Sequence, residues 1–305
     1  MVNSFNDYST RLKLSQEGAF SQSKLSIDKI NLLSNELASV NNRLKSAGAT
    51  KTANDLLDTR DLLLENLSKE IEFTAGYGDR GDVTLRLGNS GQGPILVSPS
   101  KAFNLRAKVT ENSDFRYAFE QTVNNISIFI VEGTNETSTT QITGGKIAGL
   151  VNYYAYVQEV KSAIDDIAFR VARDFNNVQK NGKDLTGKIG NDMFLVGLPT
   201  VEKNVLKDSN LDVKVDQLEA VVNLKENIDL NFDGSKWKDN KNNIYAGNNF
   251  NINGLVVTLN GEAKKGDGFS ITANNDLSSS LKFNLKSGNE FAASAFKLAE
   301  SNTNN

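Results

Sequence analysis

Residues 52–71, Thr-Ala-Asn-Asp-Leu-Leu-Asp-Thr-Arg-Asp-Leu-Leu-Leu-Glu-Asn-Leu-Ser-Lys-Glu-Ile, set a guanidinium in the middle of a leucine stripe. Leu56, Leu57, Leu63, Leu64, Leu67 and Ile71 fall on one face at helical spacing, which predicts an amphipathic helix. Thr52 or Asn54 is placed to cap it, and Asp55 and Asp58 lie where the helix dipole favours anions. Arg60 shares the leucine face, and no acid stands three or four residues from it. Its charge must then snorkel to water or meet a carboxylate from another element. Asp165, Asp166, Asp174 and Glu36 are the candidate partners. An acidic helix with one arginine among leucines reads as an assembly element, and Leu56, Leu57, Arg60, Leu63 and Leu64 are its candidate packing or interface residues.

A second long helix precedes it. Residues 2–47 contain no proline and one glycine, Gly18. Ile30, Leu33, Leu37, Val40 and Leu44 step by three and four, a heptad seam that an amphipathic helix packed on its own domain also produces. Upstream, Phe5, Leu12, Ala19 and Phe20 continue it loosely, with Ser and Gln in seam positions. From residue 72 the period changes to two. Val83, Leu85 and Leu87 alternate with Thr84 and Arg86, Gly88 to Gly93 reads as a hairpin turn, and Ile126, Ile128 and Ile130 form another strand. A third helix is predicted over 146–180, with Leu150, Tyr154, Val157, Ile164, Ile167, Val171, Phe175 and Val178 as its buried stripe. Lys161–Asp165, Asp166–Arg170 and Arg170–Asp174 are spaced as pairs on or near its outer face, and Gly182 is placed to end it. Beyond it, 227–238 reads as a hairpin, 250–261 as strand–turn–strand and 266–271 as a further strand. Helical spacing returns at 288–299.

The expected fold is α+β and multidomain. An α-helical bundle domain spans 1–199 together with 287–305, with a small β-rich subdomain at about 72–143. An all-β domain is inserted at 200–286. A length of 305 residues suits two or three domains.

Composition excludes much chemistry. The chain has no cysteine and no histidine, which removes disulfides, thiolate nucleophiles, imidazole acid–base catalysis and His- or Cys-based metal sites. A net charge of −3 disfavours nucleic-acid binding. No apolar run is long enough for a membrane span, and the first residues lack a Sec-type signal. No cofactor or metal is expected. Asp55, Asp58, Asp61 and Glu65 read as a solvated face, Asp184 to Asp192 as a structural loop lacking the EF-hand spacing, and Arg80-Gly81-Asp82 as the turn entering the strand at Val83. Trp237 and Tyr154 read as core aromatics. Tyr153 and Tyr156 fall off the main stripe and are candidate subunit contacts.

Asn-Asp-Leu-Leu-Asp-x-Arg-Asp-x-Leu-Leu-x-x-Leu-Ser (54–68) resembles the flagellar hook-associated protein 1 family, the hook–filament junction proteins. So do Ile-Asp-Lys-Ile-Asn-x-Leu-x-x-Glu-Leu-Ala-Ser-Val-Asn (27–41), Gly144-Gly145-Lys-Ile-Ala-Gly-Leu with the helix to Asp174-Phe175-Asn176, the loop Asn181 to Phe194, and Gly254 to Ile271. The similarity covers essentially the whole chain in the right order. The family's terminal coiled-coil segments have no counterpart here, so the chain resembles an excised middle fragment. The resemblance implies a non-enzymatic structural subunit, packed as a ring of protomers and adapting the hook to the stiffer filament. It implies an extracellular location on the flagellum, reached through the flagellar export channel. Implied partners are copies of itself, the hook protein, the second junction protein, and an export chaperone acting through a missing C-terminal segment. Neither nucleic acid nor membrane is implied. The alternative reading is a secreted binding or adhesion module using the β domain.

Overall fold

The computed structural model describes the chain except residues 48–50, 115–120, 198, 207–208, 218–226, 273–275, 293 and 296–305. It is α+β, with long helices and several small antiparallel sheets. It divides into two compact units, one of residues 12–113 and 122–160, the other of 1–11, 114–121 and 161–305.

In the first unit, helix α1 (Val2–Ala47) contributes Ala19, Ile27, Ile30, Leu37, Val40 and Leu44 to the core. The heptad seam thus packs on its own domain. Helix α2 (Lys51–Glu70) adds Leu56, Leu63 and Leu67. It starts at Lys51, so Asn54 lies inside its first turn instead of capping it. The predicted β-rich segment supplies β1 (Phe73–Tyr77), β2 (Val83–Leu87), β3 (Ile95–Val97), β4 (Asn104–Asp114), β5 (Gln121–Glu132) and β6 (Asn135–Thr139). They form two three-stranded sheets, β1-β2-β3 and β4-β5-β6. Val83, Leu85 and Leu87 are fully buried, as their alternation requires.

Helix α3 (Gly145–Lys180) begins at the Gly144-Gly145 pair. Gly145 has φ +78°, and a Cβ there would lie 2.6 Å from the backbone of Glu70 and Ile71. The Gly144 carbonyl accepts from the Glu72 amide at 3.2 Å. Two glycines let the start of α3 lie directly on the end of α2.

In the second unit, β7 (Gly182–Lys183) and β8 (Phe194–Leu195) follow α3. Gly182 therefore enters a strand and is not a left-handed helix cap. The strands that follow are β9 (Thr200–Asn204), β10 (Asp212–Gln217), β11 (Ile228–Phe232), β12 (Trp237–Asp239), β13 (Ile244–Tyr245), β14 (Asn249–Ile252), β15 (Leu255–Asn260) and β16 (Gly268–Thr272). Their order is β13-β12-β11-β16-β9 in one sheet and β10-β15-β14 in the other. The three predicted β features are all present: Phe232 faces Trp237 across a hairpin, Ile252 faces Leu255 across the Asn253-Gly254 turn, and Gly268–Thr272 forms a strand. Trp237 is core, 5.1 Å from Phe232 and 5.0 Å from Phe269 between ring centres.

The chain then returns along α3 through helix α4 (Leu277–Ser280), β17 (Lys282–Phe283) and β18 (Ser294–Ala295). The helix expected over 288–299 is absent from its described part. Gly288–Glu290 is one 3-10 turn, and β18 pairs with β7. Gln179 accepts from the Ala292 amide and donates to the Glu290 carbonyl at 2.5 Å, holding this stretch extended.

Candidate assembly faces

Arg60 corrects the sequence-based expectation. Its side chain is only 12% exposed, and the carboxylate it meets is that of Asp61, its own neighbour. Nε and Nη2 donate to Asp61 Oδ1 at 2.8 and 2.7 Å, and Nη1 donates to the Gly81 carbonyl at 2.6 Å. The guanidinium also lies 5.2 Å from the centre of the Tyr77 ring. Asp165, Asp166 and Asp174 pair instead with Lys161, Arg170 and Arg173. Spacing rules miss the i,i+1 pair because neighbouring helix positions diverge. Arg60 reaches back because the Arg80-Gly81-Asp82 turn supplies a carbonyl. That turn is closed by Gly78 N–H to Asp82 O at 2.8 Å.

Leu56 and Leu63 are buried in the core of the first unit, and Leu57 and Leu64 are half-buried against it. The exposed apolar side chains of this region are Leu62 and Tyr77. Tyr153 and Tyr156 stand on the exposed side of α3, Tyr156 at 63% exposure. The Tyr153 hydroxyl lies 2.6 Å from the Ser15 hydroxyl of α1. Between the same helices Gln16 donates to Gln158 at 2.9 Å, buried. At the other end of α1, Ser26 and Lys29 both donate to Glu70 of α2 at 2.7 Å. Burial pushes the Glu70 carboxyl up, but these two donors outweigh it and hold it below the usual range.

Sequence reasoning overlooked a set of side-chain amides that dock backbone onto helices. Asn31 donates to the Leu105 carbonyl at 3.0 Å and accepts from the Leu105 amide at 2.7 Å. Asn41 does the same to Val83 at 2.8 and 2.9 Å, and Asn176 to Phe194 at 2.8 and 2.9 Å. Each amide matches a strand's donor–acceptor pair and leaves neither group unpaired. Gln179 clamps the return segment in the same manner. All three asparagines, at 31, 41 and 176, stand inside motifs that carry the family resemblance.

The predicted stripe of α3 also needs correction beyond Val157. Ile167 is 50% and Val178 71% exposed, and Phe175 is nearly half exposed. The buried positions there are Gln158, Ser162, Asp165, Ala168, Ala172, Asn176 and Gln179. This face receives Ser278 of α4, Phe194 of β8 and the stretch at 290–292, so it carries small residues for close approach and polar ones for the backbone groups they meet. Lys161–Asp165, expected on or near the outer face, is buried.

Among the described residues, no group of three or more His, Cys, Asp or Glu is arranged to hold a metal ion. Asp184 accepts from Thr186 N, Thr186 Oγ1 and Lys188 N, which closes its loop.

The model of the flagellar hook-associated protein FlgK helical domain matches residues 1–194. The chain belongs to the flagellar hook-associated protein 1 family. It is 25% identical over 261 residues to flagellar hook-associated protein 1 of Escherichia coli (strain K12), covering 81% of this chain and 46% of that protein. The Salmonella typhimurium relative is 27% identical over 260 residues, with 80% and 45% covered. The chain thus spans less than half the length of these relatives. The structure of the flagellar hook junction protein FlgK from Burkholderia pseudomallei matches with a TM-score of 0.60 at 20% identity, over 96% of this chain and 54% of that one. This shows a shared fold. The family is structural and flagellar, and its members are not enzymes.

Proposed function

We propose that this chain is part of a non-enzymatic structural subunit that joins hook to filament in the bacterial flagellum, with protomers packed in a ring. The match of the family's helical-domain model to residues 1–194 carries this reading. Partners are further copies of itself, the hook protein and the second junction protein. The protein is exported through the flagellar channel to an extracellular site, with an export chaperone binding a C-terminal segment of the longer protein. Of the residues singled out in the sequence, Tyr153 and Tyr156 are the exposed pair and serve as a copy-to-copy contact, supported by their position on the outer side of α3. Leu56, Leu57, Leu63 and Leu64 serve packing within the protomer, and Arg60 holds the turn at Gly81. The architecture is a helical domain carrying an inserted β domain.

Deleting the gene in the bacterium that makes the protein tests this. Cells should keep hooks, shed unattached filament protein and lose motility, and the full-length gene should restore swimming. Normal swimming in the deletion strain would refute the proposal.

A further inference from the structure

A buried polar node lies where the chain enters and leaves the β domain. Leu277 and Leu281 belong to the cluster with Ala168, Ala172, Phe194 and Val196, whereas Ile271, Phe269 and Trp237 belong to the β core. The two clusters share no residue, and the chain crosses between them twice. The crossings are tied together by the Gly197 amide, which donates to Ser280 Oγ at 2.9 Å. Asp165, 1% exposed, accepts from Ser278 N at 2.8 Å and Ser278 Oγ at 2.5 Å through one oxygen. Its other oxygen meets Lys161 Nζ at 2.9 Å. Lys161 also reaches Asp276 at 3.3 Å, and Asp276 accepts from Ser9 Oγ of α1 at 2.6 Å. Asn6, with its amide turned to suit its neighbours, donates to the Ser278 and Ser279 carbonyls at 2.7 and 3.2 Å.

We infer that this node is an orientation lock, fixing the inserted β domain on α3 and the first turns of α1. Apolar burial is non-directional and would tolerate several settings of one core against the other. Charge-assisted bonds inside a buried site are directional, and a network of them specifies a single arrangement. Three elements converge on the node: α1 through Asn6 and Ser9, α3 through Lys161 and Asp165, and the returning strap through Asp276, Ser278 and Ser280. Two carboxylates face one ammonium there, and serine hydroxyls and the Ser278 amide also donate to these two carboxylates. Such a node is lost in steps as donors are removed, while each core keeps its own packing. The lock forms within one chain and does not depend on what the assembled protein joins.

The chain has no cysteine, so Asn177→Cys on α3 and Asn251→Cys on β14, both exposed in the native chain, give a spin-label pair on an otherwise native background. Double electron–electron resonance is recorded for the parent pair, for Ser278→Ala, for Ser9→Ala/Ser278→Ala, and for Asp165→Asn. Trp237 fluorescence reports the β core, and far-ultraviolet circular dichroism reports the helices. The lock predicts one narrow distance for the parent, and a broadened or split distribution in the double variant and in Asp165→Asn, with both core signals retained. The single serine variant should shift least. An unchanged narrow distribution in all variants would overturn the inference. So would loss of the helix signal even in Ser278→Ala, because the node would then be part of the folding core and not a lock.

Discussion

Asn41→Leu is the sharpest stability test of the docking amides. Asn41 is fully buried on α1. Its amide donates to the Val83 carbonyl at 2.8 Å and accepts from the Val83 amide at 2.9 Å, so it satisfies both polar groups of the first residue of β2. Leucine has a similar shape but fills neither role. Each buried backbone group left unpaired costs about 1–3 kcal/mol, so the variant should lose about 2–5 kcal/mol. The extra apolar contact offsets little in a core already packed around Val83 and Leu85. Asn35→Leu is the control, because Asn35 is exposed and donates to Asn31 O and Asn104 Oδ1; its effect should stay within about 0.5 kcal/mol. Asn41→Asp keeps the acceptor but sets a buried carboxylate against the Val83 carbonyl, so at neutral pH it should destabilise at least as much as leucine. The assay is urea unfolding followed by circular dichroism, with midpoints and slopes compared. A loss for Asn41→Leu no larger than for Asn35→Leu would refute the reasoning that the amide replaces a strand partner.

Other outcomes follow from the same geometry. Arg60→Leu frees the Gly81 carbonyl and should cost about 1–3 kcal/mol in urea unfolding; a neutral result would mean the guanidinium is held without benefit. Gln179→Leu releases the Glu290 carbonyl and the Ala292 amide, so hydrogen exchange should accelerate over 288–292 and stay unchanged in β2; uniform acceleration would contradict a local clamp. Beside β16, burial pushes the Asp267 carboxyl up, but the Lys264 amide, Ser209 and the Leu206 amide outweigh it and hold it low. A lowered carboxyl stabilises above its unfolded value and loses that contribution as pH falls through the folded one. The Trp237 fluorescence transition should therefore come below about pH 4, and Asp267→Asn should be less stable at pH 7 with a flatter acid dependence; an identical acid profile would exclude Asp267. Replacing 200–272, the β-core part of the proposed insertion, by a short linker should leave the helical signal folded, and its loss would disprove the insertion.

The strands and long helices were legible because each carried its own period: two for Val83, Leu85 and Leu87, and three to four for Ile30 to Leu44. Arg60 was legible as anomalous but its partners were not, since Gly81 is brought near only by the fold and Asp61 lies at a spacing that helix rules discount. The stripe of α3 misled for a definite reason. Periodicity assumes that a helix buries its apolar face, yet from Asp165 to Gln179 the buried face meets the backbone of α4, β8 and the stretch at 290–292. Small residues and amides suit that contact, which leaves Ile167, Phe175 and Val178 outward. The same logic hid 288–295. Phe291 and Ala295 share a helical spacing, but Gln179 and β7 take up the backbone bonds a helix would need. Asn31, Asn41 and Asn176 stood in the motifs that carried the family resemblance, and only their bonds to Leu105, Val83 and Phe194 show what they do.

The most direct test of the central proposal is a density map of the intact flagellum at the hook–filament boundary, from the bacterium that makes this protein. The account predicts a ring of subunits there into which this fold docks, with Tyr153 and Tyr156 against a neighbouring copy. A boundary whose density excludes the α1–α2–α3 arrangement, or a ring whose copies meet with both tyrosines facing solvent, would contradict it.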